Sequence, residues 1–316
     1  MAGEIHIHLT PPVFAAAATN PNQFYGKLAE GLTTRGATVR IVERSPIFLP
    51  PDPEDGNFHF VHEGLARQGN LLNTGLAYVF PFWYADPQGV YDLSSVAAME
   101  FDPETIDAEA ARGFARRLRT RIVGGRISRY DQKPEVTEFT GGHIAVFLQG
   151  DTDIADRGRF MSSAKMMRTV LAASRGREVL IKPHPRGMTR QEAQVLDQLV
   201  GKFSNVRMVD ANVHDVLSGA AVTVSINATA SFEGLIHGVP AILCGRSGFG
   251  HCATICETPD QLLKTIAQAK FKPGPIAKFL YWFLGQQMLN AGSDDMLDHV
   301  IDRIRLQGVT LFEFGL

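Results

Sequence analysis

The chain has 316 residues, 45% hydrophobic and 20% charged, with 31 Lys and Arg against 33 Asp and Glu for a net charge of −2. That composition excludes a disordered, collagenous or coiled-coil chain. Charge so evenly balanced excludes a surface built mainly to hold bulk nucleic acid. At about 150 residues per domain the length predicts two domains. Three widely spaced cysteines make no disulfide framework. The start, MAGEIHIHLTPP, lacks a basic stretch leading into an apolar one, and no run of 18 or more apolar residues occurs. The expectation is a cytoplasmic α/β protein, at most peripheral to a membrane.

Residues 4–9, EIHIHL, alternate and predict a strand; 21–35 predict a helix closed by Gly36, and 38–43 a second strand. This β-α-β opening points to a parallel sheet. A Pro-rich loop covers 46–57, and apolar stretches follow at 58–62 and 75–82. An Arg-rich helix is predicted over 107–123, and DQKPEVTEFTGG at 131–142 reads as a linker. Beyond it strands at 143–148, 178–182, 205–209, 221–226 and 239–243 alternate with helices at 162–175, 189–200, 213–218, 230–237 and 258–269. Two helices over 274–306 and a short strand at 309–314 complete the chain. The predicted division is 1–135, 140–273 and a helical tail, 274–316, packing across both domains.

In a doubly wound sheet ligands lie at the carboxyl ends of the strands. Four consecutive strand exits of the second domain carry polar residues: Gln149 to Ile154, Pro183 to Arg186, Asn227 to Ser231, and Gly245 to Gly248. Together they suit an anionic ligand such as a nucleotide. Asn227, Thr229 and Ser231 at a helix start are first of all capping residues, and the same hydroxyls and free amides also receive phosphate. Glu233, one turn on, suits ribose hydroxyls or simply the helix dipole. His184 stands between two prolines, which stiffen the loop; with Lys182 and Arg186 it offers up to three cationic donors, or else marks a rigid surface turn. Asp151 and Asp153 read as a turn, as a metal clamp for a nucleotide diphosphate, or as a carboxylate facing a sugar.

Other features carry less. His251, Cys252 and Cys256 lack a fourth nearby zinc ligand. Seven arginines in 112–129 make a solvated face or a surface for an anionic acceptor, and 271–289 reads as a core helix more readily than as an interfacial one.

The series LQGDTDI, IKPHPR and SINATASFEGLIHGVPAILCG resembles the capsule polysaccharide biosynthesis family, in particular the retaining β-Kdo transferases of capsule and lipopolysaccharide synthesis. Their QxDxxI motif is matched by Gln149, Asp151 and Ile154, and their HP motif by His184 and Pro185. Their N-S/T-x-x-x-E segment is matched from Asn227 through Thr229 to Glu233. The resemblance is strong over about 143–256; WYADPQG (83–89) and ISRYDQ (127–132) extend it more weakly.

The resemblance implies a GT-B architecture, two Rossmann-like domains facing a cleft, with a CMP-Kdo donor on the second domain. It implies Asp151 as nucleophile and His184 on the donor phosphate. Gln149, Lys182, Pro185, Arg186, Asn227, Thr229, Ser231 and Glu233 are the expected donor-binding set. No metal or other cofactor is expected; the partners are a nucleotide-sugar donor and a glycan or glycolipid acceptor. Asp86 and Asp153 are candidates for the acceptor's base, and Arg157, Arg159 and Lys182 for the cation facing the Kdo carboxylate. Two other readings stay open: a metal-dependent transferase using a nucleotide-diphosphate sugar, and a non-catalytic capsule assembly or export partner.

Overall fold

The computed structural model describes residues 3–20, 22–45, 47, 49–149, 158–268 and 270–316, with Ala18 by its backbone alone. The chain divides into two compact units: Met1–Glu100 with Phe283–Leu316, and Phe101–Trp282.

In the first unit β1 (Ile5–Leu9), β2 (Val39–Glu43), β3 (Phe58–His62), β4 (Leu71–Leu76), β5 (Phe82–Asp86) and β12 (Leu289–Asn290) form one sheet, in the order β12-β5-β4-β3-β1-β2. The β2-β1-β3-β4 run is parallel, and β5 and β12 join antiparallel at one edge. Ile5, Ile7 and Leu9 face a core built with Phe58, Phe60 and Leu72. Leu28 and Leu32 of helix α2 (Phe24–Thr34) and Val300 and Ile304 of a C-terminal helix (Met296–Leu306) complete it. Burying each such side chain contributes roughly 1.5–3 kcal/mol. Helix α1 (Pro11–Thr19) leaves no periodic signal in the sequence, because PPVFAAAAT has no amphipathic spacing to announce it.

In the second unit all strands are parallel: β6 (Ile144–Phe147), β7 (Val179–Lys182), β8 (Val206–Met208), β9 (Val222–Ser225), β10 (Ala241–Leu243) and β11 (Ala253–Ile255). Their order is β11-β10-β9-β6-β7-β8. Numbered within the unit this is 3-2-1-4-5-6, the Rossmann order, with the switch point between β6 and β9. Helix α3 is Ala108–Arg119; α4 (Ser163–Ala173), α5 (Arg190–Lys202), α6 (Val213–Leu217), α7 (Thr229–His237) and α8 (Pro259–Ile266) flank the sheet. Short α9 (Ile276–Leu280) follows, with Phe279 and Leu280 buried, and the Met296–Leu306 helix becomes α10. Burial of those two apolar residues agrees with the core reading of this stretch. Gly238 closes α7 at φ +86°, a left-handed conformation glycine adopts without strain.

The α/β class and the two Rossmann-like units agree with the sequence; the predicted boundaries do not. The division falls at 100/101 and 282/283 rather than at 135–140 and 273–274. Residues 126–137 bond to the second unit: Arg126 pairs with Asp215 at 2.5 Å, and Asp215 also accepts from the Thr137 amide. The tail belongs to the first unit, since β12 pairs with β5 and α10 enters that core. Residues 75–82 are the end of β4 and a turn, and 311–314 form a single 3-10 turn, not a strand. No helix among the described residues is long and apolar enough to cross a membrane.

Candidate functional site

The carboxyl edge of the second sheet gathers most of the predicted residues. Gln149 follows β6 and Asn227 follows β9, on the two sides of the switch point. The Gln149 side-chain amide donates to Asn227 Oδ1, and Asn227 Nδ2 donates to the Arg246 carbonyl at 3.0 Å. Asn227 thus spends both ends of its amide on the protein. It braces three strand exits. Gln149 Oε1 is buried with no hydrogen-bond partner among the described residues.

Gly245 lets two loops meet there. A Cβ on it would lie 2.9 Å from the Gly158 carbonyl, and the Arg246 amide donates to that carbonyl at 2.7 Å. Arg159 bridges Gly245, and its own residue is exposed. Asp151, Asp153, Ile154 and Arg157 lie outside the described residues.

The Lys182-to-Arg186 exit follows β7. Lys182 is only 9% exposed and makes no hydrogen bond or ion pair among the described residues. Burial holds its pKa below the ordinary lysine value, against the charges of Asp210 and Glu233. Among the described residues these charges act from a distance, and neither carboxylate is in ion-pair contact with the ammonium. His184 differs from expectation in its charge. Burial and the neighbouring Arg186 and Arg129 hold its pKa below the ordinary histidine value, so the ring is neutral at pH 7. Its Nδ1 accepts from the Arg186 amide at 3.1 Å, which puts the remaining proton on Nε2 as an outward donor. The Gly187 amide closes the turn onto the His184 carbonyl at 2.9 Å; Pro185 and Arg186 are exposed.

At the start of α7 the N-cap is Ala228, and no side chain caps the first turn. The capping expected of Asn227, Thr229 and Ser231 is therefore absent. Thr229 is half-buried, and its hydroxyl has no partner among the described residues. Ser231 is fully buried and shares a 2.8 Å hydrogen bond with Ser225, so its expected contact with the nucleotide is corrected to an internal one. Glu233 is 1% exposed, and burial pushes its carboxyl up to about 7 despite hydrogen bonds to Oε1 from Ser128 Oγ (2.7 Å) and the Arg129 amide (3.3 Å). Half-protonated near neutrality, it can donate as well as accept.

Sequence reading missed what the segment after α3 contributes. Ile127 accepts from His214 Nε2 at 3.0 Å, and Ser128 and Arg129 bond Glu233. Tyr130 lays its ring 5.0 Å from that of His184, with the Arg186 guanidinium 5.3 Å away. The signal was ISRYDQ itself, five polar or aromatic residues that follow a string of arginines.

Two lesser candidates fail. Asp86 is 2% exposed with both oxygens occupied: Oδ1 accepts from the Gln88 and Gly89 amides, and Oδ2 from Ser95 Oγ at 2.6 Å. It fastens a loop and has no free lone pair for an acceptor proton. Cys252 is buried, its thiol pushed up to about 12, and it joins no metal-binding group among the described residues.

No protein-family model and no curated protein sequence matches the chain. Solved structures do. KpsC of Thermosulfurimonas dismutans, a β-Kdo 2,4 transferase, aligns with TM-score 0.51 and 15% identity over 88% of this chain and 89% of that one. The β-Kdo 2,7 transferase of the same organism's KpsC aligns with TM-score 0.55 and 14% identity, over 97% of this chain and 100% of the other. At this identity the likeness is one of fold: the chain has a glycosyltransferase-like α/β fold of two Rossmann-like units.

Proposed function

We propose that the chain is a glycosyltransferase that moves Kdo, or a related acidic sugar, from a CMP donor to a glycan or glycolipid acceptor. The carrying observation is the edge itself: the exits of the parallel strands β7 and β9, which flank β6, carry a Lys182 that is buried and unpaired among the described residues, a His184 with its proton on Nε2, and an uncapped α7 start with Glu233 one turn on. These donors suit one phosphate. Its likeness to β-Kdo transferases in fold, and in the motif residues Gln149, Asp151, His184 and Glu233, supports the choice of donor.

In the reaction Asp151 attacks the anomeric carbon as the bond to the phosphate oxygen breaks, and CMP leaves with the electron pair. His184 Nε2–H and Lys182 stabilise the charge that develops on the phosphate. The acceptor hydroxyl then displaces the Asp151 carboxylate from the face that CMP left, and its proton passes to solvent water. Two inversions give retention. Arg159 and Lys182 are assigned to the sugar carboxylate. Glu233 takes the ribose hydroxyls with the oxygen that Ser128 leaves open. No metal is assigned at the phosphate, and a glycolipid acceptor would bring the chain to the cytoplasmic face of a membrane.

Thermal shift against CMP, UDP and GDP, with and without Mn²⁺, tests this reading. A ligand at about 100 times its Kd adds about 2.7 kcal/mol of stability. CMP should give the largest shift and need no metal; a larger shift with UDP plus Mn²⁺ would replace the donor with a nucleotide diphosphate. If no nucleotide shifts the protein, the non-catalytic assembly role takes its place.

A further inference from the structure

The first unit carries a cluster that this reaction does not use. Because Ile5, Ile7 and Leu9 turn into the core, His6 and His8 stand together on the opposite face of β1. Parallel register sets His59 of β3 directly beside His6. The three imidazole rings form a triangle with centroids 5.2, 5.5 and 6.0 Å apart. One nitrogen from each lies within 4.8 Å of the others.

Their hydrogen bonds fix which nitrogens remain available. His6 Nε2 lies 3.0 Å from Glu4 Oε2, and His59 Nε2 lies 3.2 Å from Asp55 Oδ1. An ionised carboxylate only accepts, so each ring carries its proton on Nε2 and leaves a lone pair on Nδ1. His8 Nε2 approaches His59 Nδ1 at 3.0 Å. A carboxylate behind an imidazole is the arrangement that orients metal-binding histidines and raises their basicity. Here two of the three rings have one. His59 is 1% exposed and forms the floor; the His6 side chain is 19% exposed and forms the mouth.

We propose that His6, His8 and His59 bind one divalent d-block cation of the zinc type, with Glu4 and Asp55 as positioning residues. Three imidazoles with a position left open suit Zn²⁺, Ni²⁺ or Cu²⁺ and do not suit Mg²⁺ or Ca²⁺, which take oxygen ligands. On binding, His8 carries its proton on Nδ1 so that Nε2 can ligate. The ion ties the first strand of the chain to its neighbour β3.

The test is calorimetric titration of the full chain, stripped with chelator, with Zn²⁺ alone, and a parallel titration with Co²⁺ followed by visible absorption. The expected result is one ion per chain, a raised melting temperature, and the d–d bands of a low-coordinate Co²⁺ site. Because His6 and His8 both reach the surface, His6→Ala and His8→Ala keep the fold, checked by circular dichroism, and lose the stoichiometric site. Glu4→Gln and Asp55→Asn keep all three ligands and should weaken binding about 10–100-fold. Absence of stoichiometric binding in the parent chain would overturn the proposal. So would unchanged binding by a folded His6→Ala/His8→Ala double variant, since the remaining histidines would then hold the ion.

Discussion

Ser128 donates its hydroxyl to Glu233 at 2.7 Å, joining residues 105 positions apart and drawing the segment after α3 onto the edge of the second sheet. That bond offsets only part of the cost of burying the carboxylate. Glu233 is 1% exposed, and burial raises its carboxyl to about 7, so near neutrality the fold holds a charge it would rather not bury.

Glu233→Gln keeps the acceptor for Ser128 and removes the charge. A carboxyl with a raised folded pKa stabilises the fold fully below its unfolded value, 4.5, and that contribution is lost as pH rises through about 7. The variant should therefore match the parent near pH 4.5 and exceed it at pH 8 by about 3 kcal/mol. Urea unfolding at both pH values checks this. A parent that is the more stable at pH 8 would show Glu233 to be a well-solvated ion.

Lys182→Met should separate stability from binding. The lysine is buried without a hydrogen-bonded partner among the described residues, so replacing it with an apolar side chain of similar length should stabilise the ligand-free protein by about 1–3 kcal/mol. The same change should weaken CMP about 10–100-fold, because a charge-assisted contact to phosphate is lost. Thermal unfolding and calorimetry on one preparation measure both. Lower stability with unaltered CMP affinity would make Lys182 a structural residue.

His184 should act as a pH-dependent donor. Its pKa lies below the ordinary value because of burial and two nearby arginines, and a bound phosphate raises it again. Proton uptake on binding means affinity for CMP rises as pH falls through the window between the free and bound pKa values. His184→Ala should cost about 0.5–1.5 kcal/mol at pH 8, where the ring is neutral, and about 1.5–3 kcal/mol at lower pH, where it carries charge. The titration of CMP itself is common to both proteins, so their difference isolates the imidazole. A cost independent of pH would place the phosphate away from this ring.

Much of the second unit was legible because doubly wound sheets leave a periodic mark. Short apolar strands at 143–148, 178–182 and 221–226 each ended in polar residues, and the parallel order brings those ends together. Gln149 and Asn227 therefore meet across the switch point. Side-chain orientations were not legible. Ser231 is turned toward Ser225 by the way α7 seats on the sheet, and Asp86 is taken up by Ser95 nine residues on. Neither tertiary detail leaves a trace in spacing. The unit boundary was hidden for a similar reason: residues 131–142 have a linker's composition, yet Gln132, Lys133 and Thr137 bond Val213, Asn212 and Asp215. In β1 the HIH spacing was visible, but the third histidine comes from a strand about fifty residues later, at 58–62.

Covalent catalysis by Asp151 is the step on which the account stands most squarely, and intact-protein mass after rapid quench tests it. The parent chain is mixed with CMP-Kdo in the absence of acceptor, quenched and weighed beside Asp151→Ala. The account predicts a gain of one Kdo residue on the parent, none on the variant, and no transfer to acceptor by the variant, although it still binds CMP. Transfer at the parent's rate by correctly folded Asp151→Ala would contradict it.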